Sequence, residues 1–179
     1  MRRQIAIIGS AKLSFISDIS SQIEELAKAL VANDCIVLAG SCGGVGNLVA
    51  RSVYLHGGCT IGISPCASSR EHIDKYGDES NCFSSFIYCG NGFKGRNVVL
   101  VQSSDAVISI CGQTGTLNEL TIAYDSTRPI GLLKNTGGIT DTIESIISNL
   151  KVDKKTPIIN NQDPHKLVND ILQILSGTR

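Results

Sequence analysis

Three glycine-rich segments of the sequence have residue types suited to binding a phosphate group. Glycine permits a positive φ and a close approach of the backbone to a ligand, and the free N–H groups and dipole of a following helix attract negative charge. The third segment, CGQTGTLNE at 111–119, adds threonine hydroxyls. The predicted phosphate-binding residues are Gly9, Ser10, Gly40, Gly43, Gly44, Gly112, Gln113, Thr114, Gly115 and Thr116. Glycines also serve ordinary tight turns, so the prediction depends on finding three such segments.

Two charged residues could act on a ligand held by the third segment. Glu119 follows Thr116 by three residues, which places it on the first turn of a helix, although stabilisation of the helix start would explain it equally well. Arg96 lies in a mostly apolar stretch, where a guanidinium needs an anionic partner. A surface salt bridge is the alternative for Arg96. No segment has the GK[ST] of a Walker loop or fits GxGxxG, so neither ATP hydrolysis nor standard dinucleotide binding is indicated.

The elements that must position these residues alternate between strand and helix. Continuous apolar runs predict strands at 4–9, 35–39, 60–64, 83–89, 106–111 and 129–133, with an edge strand at 156–159. Helical spacing predicts helices at 17–33, 45–56, 91–104, 116–127, 139–150 and 164–175. The polar segment 65–81 has no sustained apolar period and is predicted to be an irregular loop that could cover a ligand.

Buried strands that alternate with helices indicate a parallel sheet covered on both faces. We therefore expect an α/β fold of the modified Rossmann type, doubly wound and with a mainly parallel sheet, in one domain spanning 1–179. Ligands bind such sheets at the carboxyl ends of the strands. The three glycine-rich segments should meet there.

Composition narrows the classes of partner. Lys+Arg and Asp+Glu both total 16, so the chain lacks the basic excess typical of nucleic-acid binding. No segment approaches the roughly eighteen apolar residues needed to span a bilayer, so we expect a soluble, cytoplasmic protein.

The seven cysteines are odd in number and contain no CxxC pair, which favours buried free thiols. The three histidines lack ligand spacing, and we predict neither a metal nor a bound cofactor.

The residues around Arg96 and the third segment resemble those of the LOG (Lonely Guy) proteins, once classed as possible lysine decarboxylases. Their motif is Arg-Lys followed by PGGxGTxxE, and this chain has Arg96-Asn97 followed by DAVISICGQTGTLNEL. The segment 36–65 and the opening IAIIGSA are also similar, so the resemblance covers most of 5–133. It implies a modified Rossmann fold, often dimeric, that binds nucleoside 5′-monophosphates. Active members of that family hydrolyse cytokinin-type nucleotides to free base and ribose 5-phosphate.

Carried over residue by residue, the resemblance implies that Arg96 and Glu119 are catalytic and that Gly112, Gly115 and Thr116 bind phosphate. The chain departs from the motif at three positions, where it has Asn97 for lysine, Cys111 for proline and Gln113 for glycine.

Two functions therefore stay open. The first, which we prefer, is a phosphoribohydrolase that cleaves the N-glycosidic bond of a nucleoside 5′-monophosphate. The second is a nucleotide-binding or cofactor-carrier protein without catalysis, near the molybdenum cofactor carrier proteins, and the three departures favour it. Either protein would form a homodimer or higher homo-oligomer, and a partner chain could complete the site near Arg96.

Overall fold

The computed structural model of the protein describes residues 1–11, 19–78, 82–150 and 156–177. The strands in this part of the chain are β1 Gln4–Gly9, β2 Ile36–Gly40, β3 Cys59–Ser64, β4 Ser85–Tyr88, β5 Ala106–Ile110, β6 Ile130–Leu133 and β7 Ile158–Asn161. The helices are α1 Ser20–Ala32, α2 Gly44–Leu55, α3 Ser69–Tyr76, α4 Gly92–Gln102, α5 Thr114–Asp125, α6 Gly138–Asn149 and α7 Pro164–Gly177. None of these described helices is both long enough and apolar enough to cross a membrane.

The strands form one parallel sheet in the order β4-β3-β2-β1-β5-β6-β7. Helices α1, α2 and α7 contribute to the core on one face, and α4, α5 and α6 contribute to the core on the other. Every residue of β5, next to the central strand β1, is buried, as expected for a parallel strand covered on both faces. The predicted doubly wound α/β fold with a modified Rossmann architecture is confirmed.

The predicted elements recur with small shifts at their ends. Helix α5 begins at Thr114, two residues earlier than predicted, and β7 begins at Ile158, two residues later than predicted. Strand β7 lies at an edge of the sheet, as expected. Residues 17 and 18 of the predicted first helix lie outside the described residues.

The prediction of an irregular loop over 65–81 was wrong, because its centre is helix α3. The Ser68 hydroxyl accepts a hydrogen bond from the Glu71 N–H (3.2 Å), and the Glu71 carboxylate accepts one from the Ala67 N–H (2.9 Å). Gly77, with φ of 88°, follows the last turn. The pattern Ser-x-x-Glu is a capping signal, and it outweighs the missing apolar period in a helix with one buried residue, His72. Residues 79–81 lie outside the described part of the chain.

Candidate functional site

A cleft of about 270 Å³ lies at the carboxyl ends of the central strands. Strand β1 pairs with β2 on one side and with β5 on the other, so the loops that follow β1 and β5 diverge at this point of the sheet. Such a switch point is where open α/β sheets bind ligands. Ten predicted site residues line the cleft, and they are Gly9, Ser10, Gly40, Gly43, Arg96, Gln113, Thr114, Gly115, Thr116 and Glu119. The three glycine-rich segments therefore meet as predicted.

The first turn of α5 forms one wall of the cleft. The Leu117 N–H donates to the Gln113 carbonyl (2.9 Å), so the N–H groups of the residues between them precede the helical hydrogen bonds. A Cβ added to Gly115 would meet no heavy atom within 4 Å, which leaves this backbone open to a ligand. Thr116 is buried and adds a hydroxyl to the wall. This wall is suited to an anion such as phosphate.

Two predicted phosphate-binding glycines lie behind the cleft rather than on its surface. Gly44 has φ of 77°, and a Cβ there would lie 2.3 Å from the Ser10 carbonyl oxygen. Gly112 has φ of 99°, and a Cβ there would lie 2.4 Å from Thr116 Oγ1. Both positions need glycine for their backbone conformation and for close packing. They shape the loops that other residues use to line the cleft.

Arg96 lies across the end of β2. A Cβ at Gly40 would lie 1.7 Å from Arg96 Nη1, so the guanidinium occupies the space that any side chain at position 40 would fill. The guanidinium carbon lies 6.0 Å from the centre of the Phe93 ring. Among the described residues, the buried Arg96 Nε has no hydrogen-bond partner. Arg96 lines the cleft, so the positive charge of its guanidinium is available to an anionic ligand.

Glu119 faces Arg96 across the cleft. Its Oε1 lies 3.9 Å from Arg96 Nη1, and its side chain is 7% exposed. Burial raises the pKa of Glu119 to about 7, although the charges of Arg96 and Lys94 act in the opposite direction. Both protonation states are therefore accessible near neutral pH, as a general acid or base requires.

The sequence reasoning missed several residues that line the cleft. They are Ile7, Ile8, Ala11, Cys42, Gly46, Phe93, Lys94 and Asn97. Phe93 and Lys94 belong to the same helical turn as Arg96, so the position of Arg96 at the start of a helix was a signal for them. Burial raises the pKa of the Cys42 thiol to about 11, so this thiol is neutral at physiological pH and is poorly suited to act as a nucleophile.

The backbone at Cys111 differs from what the LOG motif would allow. Cys111 has φ of 49°, whereas a proline ring fixes φ near −65°. Its N–H donates to Thr136 Oγ1 (2.8 Å), and its carbonyl accepts from the Thr140 N–H (3.2 Å). Thr136 and Thr140, which follow β6, therefore hold the start of the loop between β5 and α5 in a conformation that the motif proline could not adopt.

Comparisons with known proteins agree with this architecture. The sequence model of the SLOG cluster4 family matches residues 2–168. An uncharacterised protein of Archaeoglobus fulgidus is 30% identical over 99 residues, which cover 55% of this chain and 60% of the archaeal protein. The crystal structure of the protein TM1055 superposes with a TM-score of 0.79 at 28% identity, over 97% of this chain and 99% of that chain. The molybdenum cofactor carrier protein of Chlamydomonas reinhardtii superposes with a TM-score of 0.77 at 20% identity, over 98% and 99% of the two chains.

Proposed function

The chain belongs to the SLOG cluster4 family, and on that premise we propose that it is a phosphoribohydrolase of the LOG type. Its substrate is a nucleoside 5′-monophosphate, and its products are the free base and ribose 5-phosphate. The observation that carries the proposal is the pairing of a buried carboxyl group, Glu119, with the guanidinium of Arg96 beside the open first turn of α5.

The first turn of α5 binds the 5′-phosphate in this proposal. The backbone from Gln113 to Thr116 supplies N–H donors, and the helix dipole favours the negative charge. Arg96 and Lys94 add positive charge on the opposite wall, which complements a phosphate and the hydroxyls of the ribose. A ligand fixed at its phosphate presents its glycosidic bond to the middle of the cleft.

Glu119 carries the chemical step. Breaking the bond between ribose C1′ and the base nitrogen develops positive charge on the sugar, which a nearby carboxylate stabilises. The carboxylate also orients a water molecule and accepts its proton as the water oxygen bonds to C1′. The departing base nitrogen takes up a proton, so that one water is consumed for each base released. A carboxyl group with a pKa near 7 suits this exchange of protons.

A second candidate is a carrier that holds a phosphorylated ligand without turning it over. The molybdenum cofactor carrier of C. reinhardtii and the molybdenum cofactor binding protein of Rippkaea orientalis both match over at least 98% of either chain. Gln113, which lines the cleft where the LOG motif has glycine, could donate and accept hydrogen bonds with a pterin-type ring. In this alternative Glu119 is a contact to the ligand and not a base.

Incubation of the purified protein with AMP, GMP, CMP and UMP decides between the two functions. We expect time-dependent release of free base and equimolar ribose 5-phosphate from at least one of them, measured by chromatography. Mass spectrometry of ligand retained from the expression host is the companion measurement. Intact bound nucleotide or pterin with no release of base would contradict the hydrolase and support the carrier.

The substitution Gly115→Ala tests phosphate binding separately from catalysis. The added methyl group meets no protein atom, so folding should be unaffected, and stability should stay equal or rise slightly. The methyl group would stand where the phosphate approaches the backbone, so we expect the Kd for AMP to rise by about tenfold or more. Calorimetry measures the binding. Gly177→Ala, at the end of α7 with equally open surroundings, is the matched control and should bind normally. Equal affinity in both variants would place the phosphate elsewhere.

A further inference from the structure

The buried side-chain amide of Asn97 lies between two residues of α5. Asn97 belongs to α4 and is 3% exposed, and its amide contacts Glu119 and Asn118. A buried amide is costly unless its donors and acceptor find partners. The contacts that Asn97 makes therefore need an explanation, and Glu119 is the titratable group among them.

One of the two orientations of the Asn97 amide pairs it with Glu119. In that orientation, Nδ2 donates to Glu119 Oε1 (3.0 Å) and to the Phe93 carbonyl oxygen (3.0 Å), and Oδ1 lies 3.0 Å from the side-chain amide of Asn118. In the reverse orientation, Nδ2 donates to Asn118 Oδ1 (3.0 Å), but Oδ1 faces two acceptors, Glu119 Oε1 and the Phe93 carbonyl oxygen. The first orientation therefore satisfies the buried amide, and it suits an ionised carboxylate, which only accepts hydrogen bonds.

We propose that Asn97 is a positioning residue that holds the Glu119 carboxylate in the cleft through the hydrogen bond from Nδ2 to Oε1. This inference rests on the phosphoribohydrolase function proposed above, in which that carboxylate orients the attacking water and accepts its proton. The hydrogen bond opposes the cost of burying the ionised group, so a proton acceptor is kept in place near neutral pH.

The charged groups near Glu119 do not make this hydrogen bond. Arg96 Nη1, at 3.9 Å, is beyond hydrogen-bond distance and carries a fixed charge that favours only the carboxylate. Lys94 acts on Glu119 through its charge and has the same preference. These two cations of α4 are the charged groups that act on Glu119 in the described part of the chain.

The departure from the LOG motif at position 97 affects the pKa of Glu119. A lysine at position 97 would bring a third positive charge toward Glu119 and favour its ionised form. The neutral amide leaves burial as the dominant influence, and burial raises the pKa of Glu119 to about 7. We therefore expect the proton exchange of this protein to be centred near neutral pH.

The substitution Asn97→Leu tests the proposal, because leucine has a similar volume and no polar atoms. The titration of Glu119 is followed by ¹³C NMR of glutamate-labelled protein, with Glu119→Gln identifying the resonance. We expect the midpoint to rise by about one pH unit or more, which corresponds to a tenfold loss of carboxylate stability. The pH profile of kcat for the best monophosphate should shift by the same amount, with KM nearly unchanged because the phosphate contacts remain.

Two further variants keep the test decisive. Asn97→Ser retains a hydroxyl that can donate and accept, and should shift the midpoint less than Asn97→Leu. Val98→Ala, an exposed neighbour on the same helix, should leave the titration unchanged. An unchanged midpoint in both Asn97 variants would overturn the positioning role. If the wild-type protein releases no base from any monophosphate, the proposed function fails, but the NMR titration still shows whether Asn97 controls Glu119.

Discussion

Replacing Cys111 with proline is expected to destabilise the protein by about 3 kcal/mol or more. Cys111 has φ of 49°, and the proline ring would force this angle through more than a quarter turn. The substitution also removes the N–H that donates to Thr136 Oγ1 (2.8 Å), and it leaves that loop without one of its anchors. Denaturation by urea, monitored by circular dichroism, measures the loss. AMP binding should fall as well, because Cys111 sets the direction of the following loop.

Cys111→Ala is the matched control for this substitution. Alanine keeps the N–H and removes only the thiol, so we expect a cost of about 1 kcal/mol. The difference between the two variants isolates the effect of the proline ring. If proline cost no more than alanine, the loop would be free to adopt the conformation of the LOG motif, and the assignment of φ at this position would be refuted.

The meeting of the glycine-rich segments was predictable from the sequence for a simple reason. In a parallel sheet, the position of a loop relative to the strand before it fixes the edge at which that loop lies. Gly9, Gly40 and the segment from Gln113 to Thr116 each follow a continuous apolar run, so the three loops had to share one edge. The strand pattern of the sequence therefore predicted where the cleft lies.

The distinction between lining the cleft and shaping it was not predictable in this way. Gly44 and Gly112 have the same residue type and local spacing as glycines on the surface of the cleft. Their role depends on which atoms of other elements approach them, and these are the Ser10 carbonyl and the Thr116 side chain. Such long-range packing is not encoded in a local motif. The place of Asn97 in the cleft was not predicted for a related reason, because its burial against α5 depends on how two helices pack.

Replacing Glu119 with glutamine should abolish hydrolysis and leave the ligand bound. Loss of a positioned general base lowers kcat by about 10²- to 10⁴-fold, whereas the phosphate contacts of α5 do not involve the carboxyl group. Release of base from the best monophosphate measures the rate, and calorimetry measures the affinity. Unchanged kcat would remove Glu119 from the mechanism and assign the proton transfer to another group.

Glu119→Gln should lower activity but raise stability, and the sign of the stability change follows from the pKa of Glu119. Burial raises that pKa from 4.5 to about 7, so between these two pH values the folded protein keeps a proton that the unfolded chain has released. The free energy of unfolding therefore falls as the pH rises through this interval and levels off above it. Glutamine has no proton to lose, so Glu119→Gln should match the wild type near pH 4.5 and exceed it near pH 8, by up to about 3 kcal/mol.

Glu71→Gln supplies the control with the reverse sign. Hydrogen bonds from Lys75 and from the Ala67 N–H lower the pKa of Glu71, so its contribution is present above the pKa of the unfolded chain and is lost in acid. Glu71→Gln should therefore lose a little stability near neutral pH, since the group is exposed, and should retain full activity. The free energy of unfolding above pH 7 should rise only in Glu119→Gln, and the same variant should lose hydrolysis. This result would mean that burial of the carboxyl group costs stability and serves the reaction. If neither variant changed the pH dependence of unfolding, Glu119 would be ionised at neutral pH in the folded protein. The proposal that it exchanges a proton near neutral pH would then be wrong.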